Sequence, residues 1–195
     1  MNRSFWLACF SLCMVLSAQP ARGASALLSA LTDGQHILMI RHADAPGVSD
    51  PPHMRLGDCS TQRNLGERGR KQAQELGRWL KQQGIDSAEI LSSAWCRCVD
   101  TATLLGLGPV KVEASLGSFF RNMSDADSQT IALRALLSDR LKAPLPRKPL
   151  ILVTHQVNIS AYTGEFVGQG DVMLVRVAPN GQFVSHRAIP VPQLN

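Results

Sequence analysis

The stretch 37-ILMIRHADAPG-47 runs four apolar residues, Ile37 to Ile40, straight into Arg41 and His42. A short apolar run bounded by turn-forming residues reads as a strand buried on both faces. Such a strand has no packing reason to stop on two residues that resist burial. A second run, 150-LILVTH-155, repeats the arrangement and delivers His155. In open parallel α/β sheets, ligands bind just beyond the carboxyl ends of the strands. Strand-end histidines therefore read as chemistry placed on a rim.

The pattern around these runs agrees. Residues 26–31 read as a short helix, and TDGQ turns the chain into a strand over 36–40. Residues 64–84 place Leu65, Ala73, Leu76 and Leu80 near helical spacing, with Gly84 as the stop. A strand is expected over 89–92, a helix over 96–106, a short strand over 110–113, and a helix over 129–141 carrying Leu133, Leu136, Leu137 and Leu141. Residues 172–177 and 183–186 flank PNGQ, a hairpin signal. Strands that alternate with helices need crossover connections. The expected fold is therefore α/β: a three-layer α/β/α sandwich with a mostly parallel central sheet and an antiparallel edge strand. Residues 44–63, rich in Pro, Gly, Asp and Ser, read as a long loop, and loops of that length usually carry function.

At 195 residues, 45% hydrophobic and 18% charged, the chain is long enough for one well-buried core. Arg3 gives a basic start, residues 5–18 are apolar, and small residues follow around Gly23 and Ala26, the pattern of a cleavable secretory leader cut after Gly23 or Ala26. A membrane anchor needs about 20 apolar residues, and this run is shorter and interrupted by Ser11. The expected organisation is a signal peptide over 1–26, a single domain over 27–195, and a periplasmic or secreted product without stable membrane insertion. Loss of residues 1–26 removes Arg3 and Arg22, leaving 18 basic against 15 acidic residues, a net charge of +3. With the remaining Lys and Arg dispersed and aromatics at 5%, nucleic-acid binding is not expected. Cys59, Cys96 and Cys98 remain; in an oxidising compartment they predict one disulfide and one free thiol. Cys96 and Cys98 point different ways on a helix, so the bridge is expected to join Cys59 to one of them. Three reduced, buried cysteines are the plain alternative.

A third element supplies Arg97, at the start of the helix that follows the strand 89–92. Two arginines and two histidines at rim positions suit a phosphate, because guanidinium groups give forked, charge-assisted bonds to its oxygens. Helix N-termini there would add backbone N–H donors, and an imidazole adds a nucleophile. Singly, each residue has an ordinary explanation: a strand-end histidine is commonly structural, and an arginine at a loop start commonly reaches solvent.

The stretches MIRHADA, NLGERGRKQA, SSAWCRCVDTA and LVTHQ together resemble, in order, the motifs of the histidine phosphatase superfamily, in its phosphoglycerate mutase-like branch. The resemblance spans about residues 36–160. It implies that His42 attacks phosphorus and carries a phosphohistidine, while Arg41, Arg97 and His155 hold the phosphoryl oxygens. It implies no metal and no other cofactor. The partner it implies is a small phosphorylated substrate, a phosphomonoester or phosphoramidate, with phosphosugars and lipopolysaccharide core phosphates among the classes used by exported relatives. Arg63, Asn64 and Thr154 are further candidates for substrate binding, with helix capping the simpler role for Asn64 and Thr154. Gln156 and Asn158 could also line the pocket, and Trp95 could face substrate or merely pack.

One feature departs from the family pattern. Many members carry a glutamate acid shortly after the T-A helix, and the nearest position here, in EASLGSFF, is Ser118. Asp44, Asp125, Asp127 or water is left to protonate the leaving group. Asp44, directly after the Arg-His pair, is the first candidate, and a solvated turn residue is its alternative role. Two other function classes compete: an idle phospho-ligand binder that uses the same pocket, and a metal site of His42, Asp44 and His155, which the adjacent arginines disfavour. A mutase lacks an obvious supply of phosphorylated intermediates outside the cytoplasm.

Overall fold

The structure, a computed structural model, describes residues 25–191. Its sheet has six strands: β1 (His36–Arg41), β2 (Glu89–Ser92), β3 (Val110–Val112), β4 (Leu150–Thr154), β5 (Val172–Val177) and β6 (Phe183–Ile189). They lie in the order β3-β2-β4-β1-β5-β6. The first four in that order are mutually parallel, whereas β5 runs antiparallel to both β1 and β6. The register pairs Leu38 with Ile151 and Arg41 with Thr154. His42 and His155 therefore leave adjacent parallel strands at the same end.

Successive strand residues face opposite sides of a sheet, and β1 shows the consequence. Leu38 and Ile40 enter one core with Leu31, Leu76, Leu80 and Ala102, from the helices α1 (Ala26–Leu31), α2 (Glu67–Gln82) and α3 (Cys96–Leu104). Ile37 and Met39 enter the other, with Leu133, Leu137, Ile159 and Tyr162 from α4 (Ala126–Leu141) and α5 (Gln156–Thr163). Burying each such large aliphatic side chain is worth about 1.5–3 kcal/mol. The three-layer sandwich expected from the sequence is thus present, with the antiparallel β5–β6 hairpin at one edge.

Local differences have local causes. The first strand runs one residue further than expected, so Arg41 closes it by pairing instead of following it. Helix α2 begins after Gly66, not at Asn64, whose side-chain amide donates to Cys59 O at 2.6 Å. The last strand extends to Ile189 because its edge position leaves most side chains exposed and blurs the hydrophobic alternation. At the hairpin tip Gly181 has φ +80°, and a Cβ there would lie 1.9 Å from Arg134 O.

The long loop is present, interrupted by an isolated antiparallel bridge between Arg55 and Asp58 and a short turn of 3-10 helix, Cys59–Thr61. Of the two pairings left open, Cys59 bonds Cys96 and leaves Cys98 as a buried free thiol. The leader reading falls outside the described residues up to residue 24. Among the described residues no helix is long and apolar enough to cross a membrane.

Candidate active site

The strand ends, the start of α3 and two loops enclose a cavity of about 370 Å³. Arg41, His42, Arg63, Arg97 and His155 all line it. Four sequence-distant segments thus bring the expected cationic groups and both histidines to one place.

His42 sits directly after β1, only 2% exposed. Its backbone N–H donates to Thr154 O at 3.0 Å, and its ring Nδ1 lies 2.9 Å from Ala43 O. A carbonyl can only accept, so Nδ1 carries the proton and Nε2 keeps the lone pair. Burial, and then Arg97, Arg63 and Arg41, push its pKa down to about 3 against the opposing bond to Ala43. The ring is therefore neutral across the physiological range, with the Nε2 lone pair free.

The turn after His42 is fixed from two sides. The backbone N–H of Ala43 donates to Thr101 Oγ1, whose hydroxyl donates to Arg97 O at 2.7 Å. Helix α2 packs so closely that a Cβ on Gly69 would lie 2.0 Å from Asp44 O. Glycine is required there by contact with the turn that carries His42.

His155 is 3% exposed and precedes α5. Its Nε2 lies 2.8 Å from Ser93 Oγ, its Nδ1 3.4 Å from Arg97 Nη2, and its ring stands edge-on to both His42 and Trp95. Burial and then the charge on Arg97 hold its pKa well below the usual histidine value. Arg41 is anchored by donation from Nη1 to Val167 O at 2.7 Å. Arg63 donates to Ala45 O and Gly47 O. Arg97, 4% exposed, pairs with Asp50 at 2.9 Å.

Three expected site residues do not reach the cavity. Asp44 is absent from its wall; its backbone N–H donates to Gln72 and its carbonyl faces Gly69. It therefore joins neither a proton-transfer arrangement nor a metal-ligand set with His42 and His155. Thr154 is fully buried and donates to Leu116 O at 2.7 Å, holding the 114–117 segment to the sheet instead of capping α5. Asn64 ties the loop to itself through Cys59 O. Asn158 likewise donates to Gly117 O, whereas Gln156 and Trp95 do line the cavity.

Several wall residues carried no sequence signal. Asp50 stands before two prolines within the long loop, and Phe119, Phe120 and Arg121 lie in a segment without periodicity. Ser118, where the family glutamate is missing, does line the wall, and so does Asp125.

The fold and this cup define an α/β protein built to receive an anion beside a neutral histidine. Residues 37–124 match the model of the histidine phosphatase superfamily, branch 1. The matched segment contains Arg41, His42, Arg63 and Arg97 and ends before His155, which β4 returns to the site. A curated relative, the mitochondrial serine/threonine-protein phosphatase Pgam5 of Drosophila ananassae, is 31% identical over 71 residues. That match covers 36% of this chain and only 22% of the relative. Among solved structures, mycobacterial glucosyl-3-phosphoglycerate phosphatase aligns with TM-score 0.53 at 18% identity, covering 79% of this chain and 96% of the other. The protein histidine phosphatase SixA, complexed with tungstate, aligns with TM-score 0.51 at 16% identity over 78% and 96%. At these identities the two structures establish the shared fold.

Proposed function

We propose that the protein is a phosphatase that hydrolyses a small phosphomonoester or phosphoramidate through a phosphohistidine on His42. The observation that carries this reading is the convergence of a neutral, oriented His42 with Arg41, Arg63, Arg97 and His155 around one cavity. His42 Nε2 forms the bond to phosphorus as the bond to the leaving oxygen or nitrogen breaks, and the leaving group takes up a proton. Water then attacks the phosphohistidine, breaking the P–N bond and releasing inorganic phosphate and a free imidazole. The guanidinium groups stabilise charge on the transferring oxygens in both steps. We take Asp125, which lines the cavity and whose side chain makes no capping bond to α4, as the candidate donor of the first proton.

The named relatives act on phosphorylated glycerate sugars, phosphohistidine and phosphorylated serine or threonine, which supports a phosphoryl substrate and leaves its carrier open. A phosphosugar, including a lipopolysaccharide core phosphate, suits an exported enzyme. Export is part of the proposal, supported by the leader-like residues 1–26 and by a disulfide. A cut after Gly23 retains Ser25, which caps α1 and donates to Gln83 O at 2.6 Å; a cut after Ala26 removes both bonds.

Purified protein, offered phosphohistidine, sugar phosphates, aryl phosphates and phosphopeptides, is expected to release inorganic phosphate from at least one, and His42→Ala from none. Binding of these compounds without any release would instead identify an idle phospho-ligand binder.

A further inference from the structure

Asp50 is the carboxylate most tightly engaged with the phosphoryl cup, and the reaction outlined above gives it no task. Its side chain is 7% exposed. One oxygen accepts from Arg97 Nη1 at 2.9 Å and from the backbone N–H of Arg63 at 2.9 Å. The other accepts from the same Arg97 nitrogen at 3.1 Å and from Trp95 Nε1 at 3.2 Å.

Three roles could explain a carboxylate at this place: proton donor, competitor for the anion site, or support for Arg97. A group that accepts four hydrogen bonds from three donor nitrogens is held ionised. Burial works against this, but the Arg63 N–H and the charge and bonds of Arg97 outweigh it and set the pKa below the ordinary aspartate value. Donating a proton would break the ion pair, so Asp50 is poorly suited to leaving-group protonation. A carboxylate standing in for substrate would be expected to take two nitrogens of the guanidinium fork in parallel. Asp50 instead places both oxygens on the single nitrogen Nη1 and is itself gripped by Trp95 and Arg63. Nη2 is left turned towards His155, and Nε has no partner among the described residues. The loop that carries Asp50 is also tied to the start of α3 by the Cys59–Cys96 bond and by Gln62 Oε1, which accepts from Cys96 N–H at 2.9 Å. Several anchors of the loop therefore converge on residues 95–97.

We propose that Asp50 is a positioning residue that fixes the guanidinium of Arg97 by one corner, so that its remaining donors are aimed at the phosphoryl oxygens. The proposal rests on the phosphatase reading of the cup. Buried ion pairs contribute little net stability, and specifying one geometry is a role they can serve. Here the geometry specified is that of an oxyanion-binding arginine.

The test is a double-mutant cycle with Asp50→Asn and Arg97→Ala, reading orthovanadate binding by calorimetry and, in parallel, kcat and KM. In the unaltered background Asp50→Asn is expected to weaken vanadate binding by roughly tenfold or more, and in the Arg97→Ala background by under about threefold. Tighter vanadate binding by Asp50→Asn would show a competitor and overturn the proposal. An equal loss in both backgrounds would show action independent of Arg97 and overturn it as well. If Asp50→Asn does not fold, proton NMR of the ligand-free, unaltered protein decides: a fixed guanidinium gives separate Nη1 and Nη2 signals, and a single averaged signal contradicts the proposal. Absence of vanadate binding by the unaltered protein overturns the phosphoryl-site reading and this proposal with it. Normal binding that Asp50→Asn leaves unchanged overturns this proposal alone.

Discussion

The site has two halves of different construction. Arg41, His42 and His155 stand at the ends of β1 and β4, pinned by sheet register and by backbone bonds such as His42 N–H to Thr154 O. Asp50, Arg63, Phe120, Arg121 and Asp125 stand on loops held by a disulfide, side-chain-to-backbone bonds and a buried ion pair. The first half resembles the rigid frame that catalytic geometry requires, and the second the variable ground where selectivity is built. Arg97 belongs to both, because its backbone is helical while its side chain is held from the loop. On this account chemistry is set by the sheet and the aim of the phosphoryl group by the loops.

The largest effect below loss of the nucleophile itself is expected at the shared residue. Arg97→Ala should lower kcat/KM by about a hundredfold or more, the scale for removing a donor to a developing oxyanion. A loss below tenfold in steady-state assays would place Arg97 outside the transition state. Opening the clamp between the halves should be milder for turnover and plain for stability. Cys59→Ser, which leaves a 37-residue separation unbridged, is expected to cost about 3 kcal/mol in urea unfolding. The variant should retain turnover, since the strand-borne residues stay in place; complete inactivity with native secondary structure would erase the division between halves.

Acid separates them in another way. His42 titrates near 6.5 when unfolded and at about 3 in the fold, so below pH 6.5 the unfolded chain binds more protons. Stability should therefore fall as pH drops from about 6.5 towards 3, by up to about 1.4 kcal/mol per unit for this group. His155 adds to the slope in the same direction. His42→Asn should flatten the dependence of the unfolding midpoint on pH between 7 and 4, and an unchanged slope would contradict a neutral His42. The smallest effect is assigned to the outer loop. Phe120, half exposed in the cavity wall, should affect substrate choice alone. Phe120→Ala is expected to alter kcat/KM for aryl phosphates by roughly threefold to tenfold relative to acetyl phosphate.

The same division explains what could be read in advance. The strand-end residues were legible because apolar runs fix strand position and open α/β sheets bind ligands at strand ends. Arg41, His42, Arg97 and His155 accordingly meet where expected. Loop residues obey no period, and their partners are distant in sequence. Asp44 stands in sequence beside the Arg41–His42 pair, yet its backbone packs against Gly69 of α2 and it is not among the residues that line the cavity. Asp50, eight residues after His42, reaches Arg97 only because the loop folds back onto α3. Thr154 and Asn64, polar and close to the motifs, are occupied by Leu116 O and Cys59 O. Choosing between Cys96 and Cys98 needed the orientation of α3, which places Cys98 in the core.

The most direct measurement of the central claim is rapid acid-free quenching of turnover with a phosphorus-labelled substrate, followed by peptide mapping. The account predicts a transient label that is stable to base, lost in mild acid, located on His42 and absent from His42→Asn. Label on another residue, or full turnover by His42→Asn, would contradict it.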